Sequence, residues 1–313
     1  MFQKKSEVFR GKDVTVINGL GNFSLQDTLE CGQAFRYESL VKENGYCEYL
    51  MVAYGRLIRV AQRHPGELIF FDEWSDEYEN TVKNYFALDL NYEEIRKDIL
   101  SRTDSEWLKN AAECAKGIVI LRQDPWETLF SFIVSQNNNI PRIRKIIRGV
   151  CAEYGKNLAE NQLKKCPLPH KNCLPGCPEC KECGICYSFP TPSQILDNPE
   201  GLLPSRPGFR FKYLLDAAKQ VAEGDISLEN VAKEARYEYT VEELKKILGV
   251  GDKVASCVAL FGFGNLEAFP IDVWMKRAID EYFHGNLDHK SLGPYAGVAQ
   301  QYIFHYIRNL NEG

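Results

Sequence analysis

The stretch ILGVGDKVASC, Ile247 to Cys257, decides how the rest of the chain is read. Two glycines flank a valine, an aspartate follows, and a lysine opens an apolar run. A nucleotide-binding P-loop has lysine directly after its last glycine, then Ser or Thr, and usually follows a strand. Here Asp252 separates Gly251 from Lys253, Val254 comes next, and the preceding VEELKKIL has helical spacing. The nucleotide reading fails on three counts. What remains is a helix, a Gly-Val-Gly turn and a second helix, a hairpin over about 241–262. Glycine lets the backbone turn tightly and approach a ligand closely. Free N–H groups at the start of the second helix attract an anion, and without a nucleotide a DNA backbone phosphate is the natural one. Gly249, Gly251 and Val254 would then face phosphate. Taken alone, Gly-Val-Gly favours the plainer reading, a glycine C-cap before an ordinary helix start.

Outward from the hairpin, the same helical spacing fills the second part of the chain. NYEEIRKDILSR, DSEWLKNAAECAKG, DPWETLFSFIVSQ, IPRIRKIIRGVCAEYG, FKYLLDAAKQVAEG, DVWMKRAIDEYF and GVAQQYIFHYIRNL place apolar residues three and four apart. The first ninety residues read instead as strands. DVTVIN, GQAFRYESL, CEYLMVAYG, RLIRVAQR and ELIFF are short, rich in β-branched and aromatic residues, and separated by turn residues. Gly55, between two such runs, suggests a hairpin. The expected fold class is therefore α+β: an N-terminal antiparallel β-sheet domain over 1–95 and an all-helical domain over 96–313. A Cys-, Pro- and Gly-rich insertion at about 161–192 interrupts the helical part.

At 313 residues the chain can bury a sizeable core, and no apolar run approaches the length of a membrane span. The amino terminus, MFQKKSEVFRGKD, lacks the apolar stretch of a signal peptide. A cytoplasmic protein is expected, nucleoid-associated if prokaryotic, and monomeric. The net charge of −5 speaks against nucleic acid until its distribution is considered. Residues 1–95 carry 10 Lys and Arg against 16 Asp and Glu, whereas the remainder carries 28 against 27. NNNIPRIRKIIRGV holds Arg142, Arg144, Lys145 and Arg148 with no acid, so a local basic patch is available.

The hairpin does not stand alone: AFPIDVWMKR puts Asp272 nineteen residues beyond Lys253. A hairpin lysine followed by such an aspartate resembles the helix-hairpin-helix DNA glycosylases, in the subset that also cleaves the strand. CGQAFRY, LRQDPWETLFSFIVSQNNNIPRI, PGFRFKYL, GVGDKVASC and YAGVAQQYIF resemble, in family order, the 8-oxoguanine DNA glycosylases. These five motifs run from about Cys31 to Phe304. The resemblance implies a bifunctional enzyme that flips 8-oxoguanine out of double-stranded DNA opposite cytosine, excises it and nicks the strand.

By that resemblance Lys253 is the nucleophile at the sugar C1′, and its amine can form a Schiff base that permits β-elimination. The amine must be neutral to attack, which partial burial and the positive end of a helix favour. Asp272 would stabilise the developing sugar cation, and it also sits where a helix N-cap belongs. Phe304 would stack on the flipped base, Cys257 would lie near its other face, and Gln300 would bond its Watson–Crick edge. Lys253 and Cys257 are four apart on one helix, as are Gln300 and Phe304. Gly32 would aim its carbonyl at N7, which carries a hydrogen in 8-oxoguanine and is a bare acceptor in guanine. Arg142 and Arg210 would donate to the orphaned cytosine, Asn137 would fill the gap, and Phe209 would wedge into the stack. Trp274 and Leu248 depart from the family pattern, where histidine and proline are common.

The insertion CPLPHKNCLPGCPECKECGIC brings Cys166, Cys173, Cys177, Cys180, Cys183 and Cys186 together. An odd total of eleven cysteines without a secretory signal argues against a disulfide framework. A structural metal held by four of these six is expected, zinc ahead of an iron–sulfur cluster, with no cofactor needed for catalysis. Two other readings compete with the favoured one: a sister glycosylase of different lesion preference, and a non-catalytic, metal-stabilised DNA-binding module.

Overall fold

Strands β1 (Gln3–Phe9), β2 (Lys12–Asn18), β3 (Tyr37–Glu43), β4 (Tyr46–Ala53), β5 (Arg56–Gln62) and β6 (Glu67–Phe70) form one sheet. The computed structural model describes residues 2–159 and 184–312. The spatial order is β1-β2-β6-β5-β4-β3, every neighbour antiparallel. Tyr54 (φ 48°) and Gly55 (φ 71°) join β4 to β5, and positive φ at both positions marks the tight turn that suits strand twist. Along β4, side chains alternate between two cores. Leu50 and Val52 face the helical core, while Cys47, Tyr49, Met51 and Ala53 face a core of the sheet's own.

Two helices belong to the sheet region: α1 (Leu25–Glu30), capped by Ser24, and α2 (Asp76–Tyr85), capped by Ser75. Tyr78, Val82 and Tyr85 of α2 close the sheet's own core. Among the described residues the further α-helices are α3 (Tyr92–Ser101), α4 (Glu106–Cys114), α5 (Pro125–Ser135), α6 (Ile140–Tyr154) and α7 (Pro192–Asp197). They continue as α8 (Phe211–Glu223), α9 (Leu228–Glu234), α10 (Tyr237–Leu244), α11 (Asp252–Phe263), α12 (Val273–Tyr282) and α13 (Ala296–Glu312). Trp126 to Val134 of α5 is buried except for Glu127, and Val254 to Phe261 of α11 is buried throughout. A helix that is apolar all round belongs at the centre, and these two pack on each other. The hairpin lysine is thereby mounted on the most buried pair of elements in the helical half.

The α+β reading holds, with corrections inside it. The first ninety residues are not all strand. Leu25–Glu30 is helical but too short to display a helical period, and Asp76–Tyr85 follows the last strand. Gln3–Phe9 is a strand that the apolar pattern hides, because it is a charged, exposed edge. GQAFRYESL is only half strand. Gly32 sits at φ +89°, and the Gln33 amide binds Thr28 O, Val119 O and Leu121 N, which holds 32–36 in a loop. Residue 95, the expected division, lies inside α3, where Ile95 joins the helical core.

Sheet and helices are joined by buried polar contacts. Arg36 Nη1 meets Glu127 Oε2 of α5 at 3.0 Å, and Arg36 also donates to the Tyr187 carbonyl. Arg144 and Arg148 of α6 both bind Glu38 of β3. Among the described residues no helix is long and apolar enough to cross a membrane.

Candidate active site

α11 begins at Gly251, whose missing side chain leaves the first-turn N–H groups without a side-chain cap. The turn before it needs glycine at 249 for two reasons. Gly249 has φ +80°, and a Cβ there would lie 2.5 Å from the Tyr213 ring. Leu248 is half exposed at the tip, with its N–H bound to Asp216 Oδ2 at 2.7 Å. Val254 is buried, so only its backbone can face a phosphate.

In the first turn of α11, Lys253 is half-buried and lines a cavity of about 380 Å³. Its Nζ lies 3.3 Å from Ser135 Oγ at the end of α5 and 5.3 Å from the centre of the Phe132 ring. Phe132 is fixed in turn by stacking on Phe261 and by an edge contact with Phe35. Asp272 lines the same cavity while capping α12, its Oδ1 accepting from Met275 N at 2.8 Å. Asp272 is thus a helix cap and a cavity-lining residue at once. Cys257 is buried on the cavity wall, and burial pushes its thiol up against the opposing pull of Lys253, which keeps it protonated.

The sheet side and the last helix supply the rest of the wall. Cys31, Gly32 and Phe35 come from the loop before β3, and Gln300, Gln301, Phe304 and Arg308 from α13. The Gly32 Cα presents its bare side to Phe304, where a Cβ would stand 3.4 Å from the ring. Gln300 is 4% exposed and its Oε1 has no hydrogen-bond partner among the described residues. A buried unpaired acceptor costs about 1–3 kcal/mol, which a ligand donor in the cavity would recover. Trp274 also lines the cavity, so an indole stands at the site where a polar group was in question.

Beside the cavity, the turn between α5 and α6 carries Asn137, exposed and at φ 48°. Arg210 is buried and gives its guanidinium to the carbonyls of Gln136, Asn137 and Pro207. Burial, with nearby Arg142 adding to it, holds the Arg210 guanidinium below its usual range. Arg142 itself is exposed at the first turn of α6. Phe209 is 52% exposed, edge-on to Tyr213 and under Arg210. Asn137, Arg142, Phe209 and Arg210 thus lie together, adjoining the Asn138 to Pro141 stretch that lines the cavity. Arg210 differs from the rest in being already committed to the backbone that shapes the turn.

A family model described as "8-oxoguanine DNA glycosylase, N-terminal domain" matches residues 15–129. The N-glycosylase/DNA lyase of Saccharomyces cerevisiae is 28% identical over 273 residues, 81% of this chain and 66% of its own length. Among solved structures, MBOgg1 in complex with a low-affinity DNA ligand is 33% identical over 99% of both chains, with a TM-score of 0.79. The chain belongs to the Ogg family of 8-oxoguanine DNA glycosylases. The Ogg-family 8-oxoguanine glycosylase/lyase of Clostridium acetobutylicum, solved with double-stranded DNA containing cytosine opposite 8-oxoguanine, is 32% identical over 99% of this chain and 98% of its own, with a TM-score of 0.79.

Within this Ogg-family site, sequence reasoning missed Ser135, Gln33 and Gln301. Ser135 lies 118 residues from Lys253, and nothing in FIVSQ marks its hydroxyl as facing an amine. Gln301 stands beside Gln300 in AQQY, where a helical wheel separates the two faces but gives no target for the second. Cys166, Cys173, Cys177, Cys180 and Cys183 lie outside the described residues. Cys186 is described: it is fully buried in the helical core, beside the isolated bridge between Asn157 and Tyr187. Among the described residues no group of three or more His, Cys, Asp or Glu could hold a metal ion.

Proposed function

We propose that this Ogg-family enzyme excises 8-oxoguanine opposite cytosine from duplex DNA and then cleaves the strand, with Lys253 as nucleophile. The observation that carries the reading is the placement of the Lys253 amine and the Asp272 carboxylate in one cavity with Gly32, Gln300 and Phe304. The flipped base enters against Phe304, and Gln300 offers an unpaired acceptor to its donor edge. The neutral Lys253 amine bonds to C1′ as the C1′–N9 bond breaks and the electron pair leaves with the base, which is then protonated. Asp272 stabilises the positive charge that develops on the sugar during this exchange. Ring opening gives an imine whose C2′ proton is lost as the 3′ phosphate departs, and water then releases the enzyme.

On the opposite strand, Arg142 and Arg210 serve the orphaned cytosine, with Asn137 in the gap and Phe209 in the stack. Arg210 must exchange part of its bonding to Gln136 and Asn137 to do so, so binding and reshaping of that turn are coupled. The N–H groups at Gly249, Gly251 and Val254 hold a backbone phosphate. The place of action follows the substrate: the cytoplasm, at the nucleoid in a prokaryote.

The cysteine-rich insertion holds a structural zinc through four of Cys166, Cys173, Cys177, Cys180, Cys183 and Cys186. Thiolates at three-residue steps suit tetrahedral zinc, whose role there is to close the insertion rather than to take part in catalysis.

The deciding experiment is borohydride trapping on an 8-oxoguanine:cytosine duplex with the unaltered protein and Lys253→Gln. An adduct present in the first and absent from the second is expected, with excision lower by more than about 10³-fold. An adduct that survives the substitution would move the nucleophile elsewhere.

A further inference from the structure

Three consecutive carbonyls run past the cavity, at Cys31, Gly32 and Gln33. The Cys31 carbonyl accepts from Gln301 Nε2 of α13 at 3.0 Å, in a fully buried contact. The Gln33 carbonyl accepts from Gln123 Nε2, just ahead of α5, at 2.8 Å. Between them, the Gly32 carbonyl accepts no hydrogen bond from any described residue, while Gly32 itself lines the cavity. The Gln33 side chain anchors the same loop from behind through Thr28, Val119 and Leu121.

A peptide plane is rigid, so holding the carbonyl on each side places the Gly32 and Gln33 Cα atoms, the two ends of the axis about which the middle carbonyl turns. Gly32 sits at φ +89°, where glycine has least intrinsic preference to keep the loop in place. The aim must therefore come from outside the loop. We infer that Gln301, with Gln123 as its counterpart, is a positioning residue that sets lesion discrimination by orienting the Gly32 carbonyl. This rests on the reading of Gly32 as the acceptor for the extra N7 hydrogen of 8-oxoguanine. An acceptor aimed at N7 favours the lesion and repels guanine, and a loosened acceptor does both less well. Gln301 touches neither base nor sugar in this account; it acts through Cys31.

Gln301→Met keeps the length of the side chain and removes the donor. Single-turnover excision would be measured on 8-oxoguanine:cytosine and guanine:cytosine duplexes, with borohydride trapping on an abasic duplex as the readout that needs no base recognition. The expected result is a fall of about tenfold in the 8-oxoguanine to guanine ratio, with abasic trapping unchanged. An unchanged ratio overturns the inference, and so does a loss of trapping in proportion to excision, which would mean general damage to the site. Should Gln301→Met fail to fold, Gln123→Met is read in the same way and must lower the ratio. Failure of the underlying reading has a different signature: the unaltered protein would then show no preference for 8-oxoguanine.

Discussion

Ser135 Oγ donates to the Phe132 carbonyl at 2.7 Å and lies 3.3 Å from Lys253 Nζ. Its one hydrogen is committed to the carbonyl, so towards Lys253 it can only accept. An amine N–H therefore points at Ser135, and this contact fixes how the nitrogen is presented to the cavity. Ser135→Ala removes this restraint without adding bulk. Excision should fall about tenfold while the trapped adduct still forms, because the amine is kept and only its orientation is lost. Single-turnover rates measure the first and gel-resolved trapping the second; an unchanged rate would make Ser135 a mere helix-end hydroxyl.

Asp272 performs two tasks that different substitutions separate. Asparagine keeps an oxygen for Met275 N and removes the charge, whereas alanine removes both. Asp272→Asn should melt within about 2 °C of the unaltered protein, and Asp272→Ala should be less stable by about 1 kcal/mol. Both should excise at least about 10²-fold more slowly. If Asp272→Asn retained full excision, the carboxylate would be only a cap.

The edge strand β1 is tied to α2 through Glu79, which binds Lys4, Lys83 and the Trp74 indole. The Lys4 hydrogen bond, followed by those of Lys83 and Trp74, pulls its carboxyl from 4.5 down to about 2. The folded value lies below the unfolded one, so this contribution to stability is complete above pH 4.5 and is lost as the pH falls towards 2. Glu79→Gln should therefore melt below the unaltered protein at pH 7, with the gap narrowing between pH 4.5 and pH 3. Urea midpoints across that range provide the check, and a gap of constant size would show that charge plays no part.

The zinc proposed for the insertion can be tested by direct count. Elemental analysis of the purified protein should give about one zinc per chain, with iron near zero. A Cys180→Ser, Cys183→Ser double variant should lose the metal and keep the trapped adduct on abasic DNA. Stoichiometric iron with visible absorption would replace zinc by a cluster.

What the sequence made legible follows its local signals. Lys253 stands in a hairpin whose position 249 only glycine can fill, as its contact with the Tyr213 ring demonstrates. Phe304 and Gln300 share one helix face, and a wheel finds that. The loop from Gly32 to Arg36 reads as strand because it runs into the aromatic, strand-forming residues that follow, yet three hydrogen bonds from distant segments, with a fourth to nearby Thr28, hold it out of the sheet. Contacts such as Gln301 to Cys31 span 270 residues and have no local trace. β1 was hidden for the opposite reason, since an edge strand shows charge where an inner strand would alternate.

One wall of the cavity is α13, which follows all other described elements in the chain and is therefore made last by the ribosome. Until it emerges, Lys253 and Asp272 are already in the nascent polypeptide, but Gln300, Gln301 and Phe304 are not. The growing chain thus holds Gly32, Lys253 and Asp272 before it owns the helix that completes the cavity around them. A product cut short before Ala296 would carry the amine and carboxylate in a cavity left open on the side that α13 lines.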